Sequence, residues 1–535
     1  MISERGFLGR RRPSRLAAIL AAMLAAVLFS VGPAGPAADS RAAERDDVRV
    51  LAGLPTSIDP AAHGDLGSSA IIAQLFETLT AYDAGLVLRP ALARSWDIND
   101  DGRQVVFHLR PGLTFSDGTR LEGRDVVRSW LRLIDPAAPS PLASLMADVV
   151  GAEAFAGGDV RDPGAVGLRA DGDAVIVDLV RPAADFVSIV SAATFAVVPG
   201  SFGDGGDPLS PAGFVASGAY ILSGVEPDAL ILTANDRYWA GRPAIATVRV
   251  VSDLGGRSSV SAFEEGEIDY APISNFDASW IRYSETLGPR LREVPSLSLE
   301  FLGFDTSRPP FDDVRVRRAV ASAVDWRRIV ELATPVTNTP ATSMVPIGVP
   351  GRSDRDFLPA HDPVAARADL AAAGYPGGRG FPVVTYLTGG SAYAEAILVE
   401  IERELGIHVV FESMDFGAYF ERLDSEPPML WSLSWVADYP GRNDFLGILL
   451  RSGATNNYGR WTSDEFDDAL DMALQASDPA AVGAAFDRAE GVVQRDAPLI
   501  PLSYGTGWAL AREGLLGAGQ NGLGILRMGG LAWDE

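Results

Sequence analysis

Asp438 poses the clearest chemical question in this sequence. It lies in the stretch 430–445, Leu-Trp-Ser-Leu-Ser-Trp-Val-Ala-Asp-Tyr-Pro-Gly-Arg-Asn-Asp-Phe. Leu430, Trp431, Leu433, Trp435 and Val436 make an apolar, aromatic run of the length of a buried strand. Pro440 has no N–H and Gly441 opens a turn, so the strand ends there. Asp438 is thereby placed at the mouth of a buried strand, where an unpaired charge is costly. Two cations could meet it: the guanidinium of Arg442, or the amino group of a ligand. Trp431 and Trp435 suit core packing as well as ligand contact.

Other chemistry is poorly represented. Gly517-x-Gly519-x-x-Gly522 has the spacing of a dinucleotide-binding turn, but only thirteen residues follow it. That leaves no room for the strand and ribose-binding acid the turn requires. The four histidines, His63, His108, His361 and His408, are not at metal-ligand spacing and there is no cysteine. No metal site or cofactor is therefore expected. Each histidine reads as a lone exposed side chain, with His63 the candidate for a place near a cleft. There is no Gly-x-Ser-x-Gly elbow and no phosphate loop. With 70 acidic residues, chance carboxylate pairs are certain, so pairing alone does not indicate hydrolysis. No catalytic residue is assigned, and the chain reads as a protein that is not an enzyme.

The rest of the chain must supply the scaffold. At 535 residues it has room for two to four domains, and its 47% hydrophobic and 21% charged content is that of a globular protein. Residues 1–38 read as a cleaved signal peptide. Arg5, Arg10, Arg11, Arg12 and Arg15 precede an apolar run from Leu16 to Val31, then small residues and prolines. Without cysteine an exported chain must rely on its core alone. An unanchored exported protein suits a periplasm bounded by an outer membrane. The formal charge is −25, and since residues 1–38 are basic the remainder is more acidic still. Such a surface disfavours nucleic acid and anionic membranes as partners. All 45 basic residues are arginine.

Val48–Leu51 reads as a strand and residues 68–82 as a helix capped by Ser68 or Ser69. Trp96–Ile98 and Val105–Leu109 flank Asp100-Asp101-Gly102 as a hairpin. Glu122–Leu133 is a helix turning Val126, Val127, Trp130 and Leu133 inward. Asp312-Asp313 caps a helix whose apolar side is Val316, Val320, Ala323 and Val324, Thr462 with Glu465 forms a capping box, and Asp478-Pro479 starts another helix.

Several of these motifs recur in a known family. Pro90-x-Leu-Ala-x-Ser-Trp96, Phe107-x-Leu-Arg110-x-Gly112-x-x-Phe115-Ser-Asp-Gly118 and Asp125-Val126-x-x-Ser129 resemble the signature of bacterial extracellular solute-binding protein family 5. These are the solute-binding proteins of oligopeptide and dipeptide ABC transporters. Leu54-x-x-x-Ile58-Asp59-Pro60, Asn235-Asp-Arg-Tyr238-Trp239, Phe304-Asp-Thr306 through Ala319 and Asp496-Ala497-Pro498-x-Ile500-Pro501-Leu502 follow in the same order, so the resemblance spans residues 54–502.

The resemblance implies an α/β fold of the type II periplasmic-binding-protein kind, with two lobes, a hinge and an inserted subdomain. It places the first lobe at 45–86, 205–298 and 496–535, the insert at 87–204 and the third lobe at 299–495. It implies a monomer that captures a peptide or peptide-like solute and hands it to ABC permease and ATPase subunits. By the same resemblance Asp438 would pair with a peptide's α-amino group. Ser434, Trp435 and Val436 would bond its main chain, and Gly64, Asp65 and Leu66 would form a facing strand on the opposite lobe, so that the ligand is held as an added strand. Trp431 and Arg442 complete the expected ligand contacts. Arg442 stands where the family commonly continues Asp-Pro, and it could neutralise Asp438 or hold a ligand carboxylate. A non-peptide solute such as an oligosaccharide, opine or metal chelate is the alternative within this fold. A periplasmic hydrolase is the alternative outside it.

Overall fold

The computed structural model describes residues 45–534 apart from 184, 203–208, 295, 335–337, 415 and 477. The expected signal peptide lies outside the described residues.

Alternating valines start the first sheet. In Asp47–Leu51 the side chains of Val48 and Val50 are buried while their neighbours are half-buried. This strand runs parallel to Thr247–Val251, with Val48 opposite Val248 and Val50 opposite Val250. Seven strands result, in the order Leu291–Val294, Gly507–Ala511, Tyr270–Ile273, Asp47–Leu51, Thr247–Val251, Ala229–Ala234 and Tyr220–Glu226. The helix Leu66–Leu75 places Ile71, Ile72 and Leu75 in the core with Val48, Val50, Leu230 and Leu232.

The expected hairpin forms the start of a second, four-stranded antiparallel sheet, with Trp96 opposite Phe107. Gly102 turns it at φ 70°, a conformation that glycine adopts without strain. The helix Gly123–Leu131 buries Val126 and Trp130 on this sheet. The Trp130 ring meets Phe107, Phe186 and Phe195 edge-on, and its indole N–H donates to the Phe195 carbonyl. Val127, expected inward, is only half-buried.

The third sheet has six strands in the order Asn338–Pro340, Leu499–Gly505, Ser298–Phe304, Leu430–Val436, Val384–Thr388 and Val409–Ser413. Leu430–Val436 is antiparallel to Ser298–Phe304 and parallel to Val384–Thr388. One face packs on Val316, Val320, Trp326, Ile397 and Ile401. The other packs on Phe445, Leu449, Phe466, Leu470 and Val493.

The chain crosses between the first and third sheets at 294–298 and again at 505–507, where Thr506 alone separates two strands. The Leu297 N–H donates to the Gly522 carbonyl at 2.6 Å, and the Ala437 N–H donates to the Leu297 carbonyl at 2.9 Å.

Some boundaries differ from expectation. Leu499–Gly505 belongs to the six-stranded sheet rather than to the first lobe, because its ladder runs along Ser298–Phe304. The helix expected over 68–82 begins at Leu66, capped by Asp65, and ends at Leu75; Thr80–Tyr82 is a strand. The cap of the helix Asp464–Gln475 is Ser463, one residue after Thr462, since its hydroxyl accepts the Phe466 N–H. Of the pair Asp312-Asp313 it is Asp313 that caps its helix, which ends at Ala323 and leaves Val324 extended, and Asp478 caps its helix as expected.

Candidate functional site

Leu430–Val436 is a strand with the bounds its apolar run suggests. Residues directly opposite each other across a ladder share a face. Trp431, Leu433 and Trp435 therefore lie on one side with Gly303, Phe301 and Leu299, and all of them except Gly303 join the same core. Ser434 and Val436 lie on the other side with Glu300 and Ser298. Ser434 is exposed and Val436 half-buried.

Trp431 is a core residue. It is 1% exposed and stacked edge-on against Phe301 and Tyr458. A Cβ on Gly303 would stand 2.3 Å from its ring, so glycine is required opposite it. The expected ligand contact of Trp431 is thus corrected to packing.

The neighbour strand Val384–Thr388 pairs only with Leu430–Ser432. Among the described residues no strand continues along that edge past Ser432. The edge of Leu433–Val436 remote from Ser298–Phe304 is left for another chain segment to bond. An open strand edge is a template for β-addition.

Asp438 follows directly. Its Oδ2 is buried and has no hydrogen-bond partner. Burial pushes its carboxyl up to about 7. Asp444, at the start of the helix Arg442–Leu450, is fully buried beside it. Its Oδ2 accepts the Trp435 indole N–H at 3.0 Å, and its Oδ1 accepts the Asp438 backbone N–H at 3.2 Å. Burial and then the Asp438 charge hold Asp444 well above the usual carboxylate range.

Arg442 does not serve Asp438. Its guanidinium donates to Asp487 Oδ1 at 2.9 Å, Glu490 Oε1 at 3.2 Å and the Gly351 carbonyl at 2.8 Å, and lies over the Phe486 ring. The side chain is 3% exposed. The helix carries Arg442 toward the helix Pro479–Asp496, and Glu490, buried there, needs its charge. Both roles expected of Arg442 at the ligand are corrected to a structural one. Among the described residues neither Asp438 nor Asp444 has an ion pair.

On the opposite side, Gly64, Asp65 and Leu66 do not form a strand. Asp65 is the cap of the helix that begins at Leu66: its Oδ1 accepts the Ser68 N–H, and its Oδ2 takes the hydroxyls of Thr56 and Ser68. Burial opposes its ionisation, but these donors outweigh it and hold the carboxyl below its usual range. Gly64 is exposed and abuts Pro141; Leu66 is 40% exposed and touches Gly524. His63 is not an exposed histidine. It is 1% exposed, burial lowers it to about 4, and its Nε2 is buried without a partner. His108 pairs with Asp97. Among the described residues no three metal-ligating side chains could hold an ion.

Two carboxyls were not singled out by the sequence reading. Asp444 carried a signal: a second acid six residues after Asp438 in an apolar context. Glu300 carried another, being the lone acid in the strand Ser-Leu-Glu-Phe-Leu-Gly-Phe. It faces the same side as Ser434, and burial raises its carboxyl above the usual range.

Comparison with known proteins sets this geometry in context. The family described as bacterial extracellular solute-binding proteins, family 5 Middle, matches residues 87–457. The probable deoxycholate-binding periplasmic protein YgiS of Escherichia coli is 31% identical over 470 residues, covering 84% of this chain and 86% of that protein. The structure of the E. coli murein tripeptide binding protein MppA superimposes with a TM-score of 0.83 at 24% identity, covering 92% of this chain and 99% of that one. The unliganded open form of MppA gives 0.68 at the same identity, covering 92% and 98%. Haemophilus influenzae OppA in complex with the peptide RPPGFSPFR gives 0.82 at 21% identity, covering 92% and 99%.

Proposed function

The chain belongs to family 5 of the bacterial extracellular solute-binding proteins, and we propose that it captures a peptide or peptide-like solute in the periplasm for an ABC importer. It performs no chemistry on that solute. It works as a monomer with permease and ATPase subunits. The first lobe is built on the seven-stranded sheet, the insert on the four-stranded sheet, and the third lobe on the six-stranded sheet, which keeps Leu499–Gly505. The ligand lies between the first and third lobes, added along the open edge of Leu433–Val436, with main-chain hydrogen bonds that are blind to sequence.

One observation carries the reading: the buried, unpartnered Oδ2 of Asp438 at the end of that edge, with Arg442 turned away. A buried charge without a partner is unstable unless a cation arrives. A ligand ammonium supplies it, and lobe closure strengthens the contact by excluding water. Ser434, Val436 and Glu300 line the same face of the third lobe, and Trp435 acts through its bond to Asp444.

The relative named for deoxycholate supports a second reading, a non-peptide solute with no amine. In it the protonated form of Asp438 bonds a hydroxyl. Calorimetry with trialanine, N-acetyl-trialanine and deoxycholate separates the two. Binding that requires the free amine supports the peptide reading. Equal binding of the acetylated form, or binding of deoxycholate alone, overturns it. Mass spectrometry of solutes that copurify with the protein identifies the natural class directly.

A further inference from the structure

Glu300 is an acid without a cation. It is the only charged residue in the strand Ser298–Phe304, and it is half-buried, so solvent still reaches it. Among the described residues it forms no ion pair, and its polar neighbour is Ser391. Ladder register fixes the face from which it projects. Glu300 stands opposite Ser434, so the two share one side of the sheet. The next pair along that face in one direction, Leu302 with Ser432, is buried. In the other direction stand Ser298, also buried, and Val436, half-buried. Ser434 is the exposed position among them.

That arrangement leaves a way from the open edge of Leu433–Val436 to Glu300. A segment added along the edge lies one strand spacing from Ser434 and two, about 9.6 Å, from Glu300. The side chain of its residue opposite Ser434 falls on the same face. A lysine ammonium stands about 5 Å from its Cβ and a glutamate carboxylate about 3.5 Å from its own, and a hydrogen bond adds about 2.9 Å. Lysine therefore spans the gap, as does the longer arginine. Ser434, with only a hydroxymethyl group, leaves room for the stem to cross it.

We propose that Glu300 is a second recognition point in the cleft, selecting a ligand with a lysine- or arginine-like side chain at the residue that pairs with Ser434. The inference rests on the reading of this edge as the ligand's strand and narrows it. The solute is cationic in two places, its head at Asp438 and one side chain at Glu300. A ligand with a neutral side chain there covers Glu300 and leaves a desolvated acid unpaired, which disfavours it. The formal charge of −25 draws cationic solutes toward the protein in the same sense.

Calorimetry at about pH 7 tests this with tetraalanine and four tetrapeptides, each carrying one lysine in place of an alanine. One lysine position should bind about tenfold or more tighter than tetraalanine, and arginine at that position should do the same. Diaminobutyrate there carries the same charge about 2.5 Å from Cβ, falls short of Glu300, and should lose most of the gain. In Glu300→Gln the ratio of the tetraalanine Kd to the lysine-peptide Kd should fall to within about twofold of one. A gain that survives Glu300→Gln, or one as large for diaminobutyrate as for lysine, overturns the proposal, because either shows attraction by the acidic surface at large. If Glu300→Gln does not fold, the comparison of stem lengths on the wild type decides. Tetraalanine that binds through its free amine, with no lysine position gaining, overturns the proposal and leaves the anchor at Asp438 intact. Equal binding of N-acetyl-tetraalanine removes the anchor, and the lysine scan then decides Glu300 alone. Failure of all five peptides to bind at millimolar concentration overturns both.

Discussion

Replacing Asp438 by asparagine should move stability and binding in opposite directions. The substitution keeps the shape of the side chain and removes the charge. In the ligand-free protein, burial lifts the carboxyl from 3.8 to about 7, so holding it ionised opposes folding. A shift of about three pH units corresponds to ~4 kcal/mol at most at pH 8. The sign follows from proton counting. Between about pH 4 and 7 the folded state holds a proton that the unfolded chain has released, so this component of stability falls as pH rises. Asp438→Asn removes that component, and its unfolding midpoint should rise above wild type at pH 8 and converge with it near pH 4. Binding goes the other way. Losing the partner of a desolvated ammonium costs about 2–5 kcal/mol, or about thirtyfold to five-thousandfold in Kd for trialanine. Thermal unfolding and calorimetry on the same preparation measure both. A variant that is less stable than wild type, with unchanged affinity, would show that Asp438 is a structural carboxylate and would refute the reasoning.

Other outcomes follow from the same geometry. Gly303→Ala drives a methyl into the Trp431 ring and should destabilise the third lobe by about 1–3 kcal/mol or more, read by thermal unfolding; wild-type stability would refute the contact. Arg442→Met strands the buried Glu490 and should cost about 3–5 kcal/mol of stability, with far less effect on Kd than Asp438→Asn; the reverse pattern in unfolding and calorimetry would return Arg442 to the ligand site. His63 should show no titration in NMR between about pH 5.5 and 8, because burial holds it near 4. Its contribution is a loss of stability as pH drops from about 6.5 toward 4, where the unfolded chain binds the proton and the folded one does not. His63→Asn should flatten that limb of the pH–stability curve.

The sequence was most legible where one local pattern decided the outcome. The strand Leu430–Val436, the hairpin around Gly102 and the caps at Asp313 and Asp478 each follow from apolar spacing or a single side chain. The family motifs carried the architecture, since they recur from Leu54 to Leu502 in order. Direction was not legible. Arg442 is four residues from Asp438, yet a helix begins at Arg442 and aims it at Glu490, which is 48 positions away. The resemblance puts Asp65 on a ligand strand, whereas its carboxylate is taken by Ser68, three residues later, and by Thr56, nine residues earlier. Glu300 became part of the face around Ser434 only through ladder register, which pairs residues over a hundred positions apart. The pairing of Leu499–Gly505 with the third lobe is of the same kind.

The single residue between Gly505 and Gly507 has a mechanical consequence. In the proposed two-lobe arrangement the crossings between Val294 and Ser298 and at Thr506 are the places about which the lobes would turn, and displacement would grow with distance from that axis. Asp438 is the residue after Ala437, whose N–H is tied to the Leu297 carbonyl in one of those crossings. It therefore has almost no lever arm. On the proposed reading, a ligand head on Asp438 would stay seated as the lobes close while the rest of the ligand is swept over by surfaces with long arms, so capture would proceed from the pivot outward.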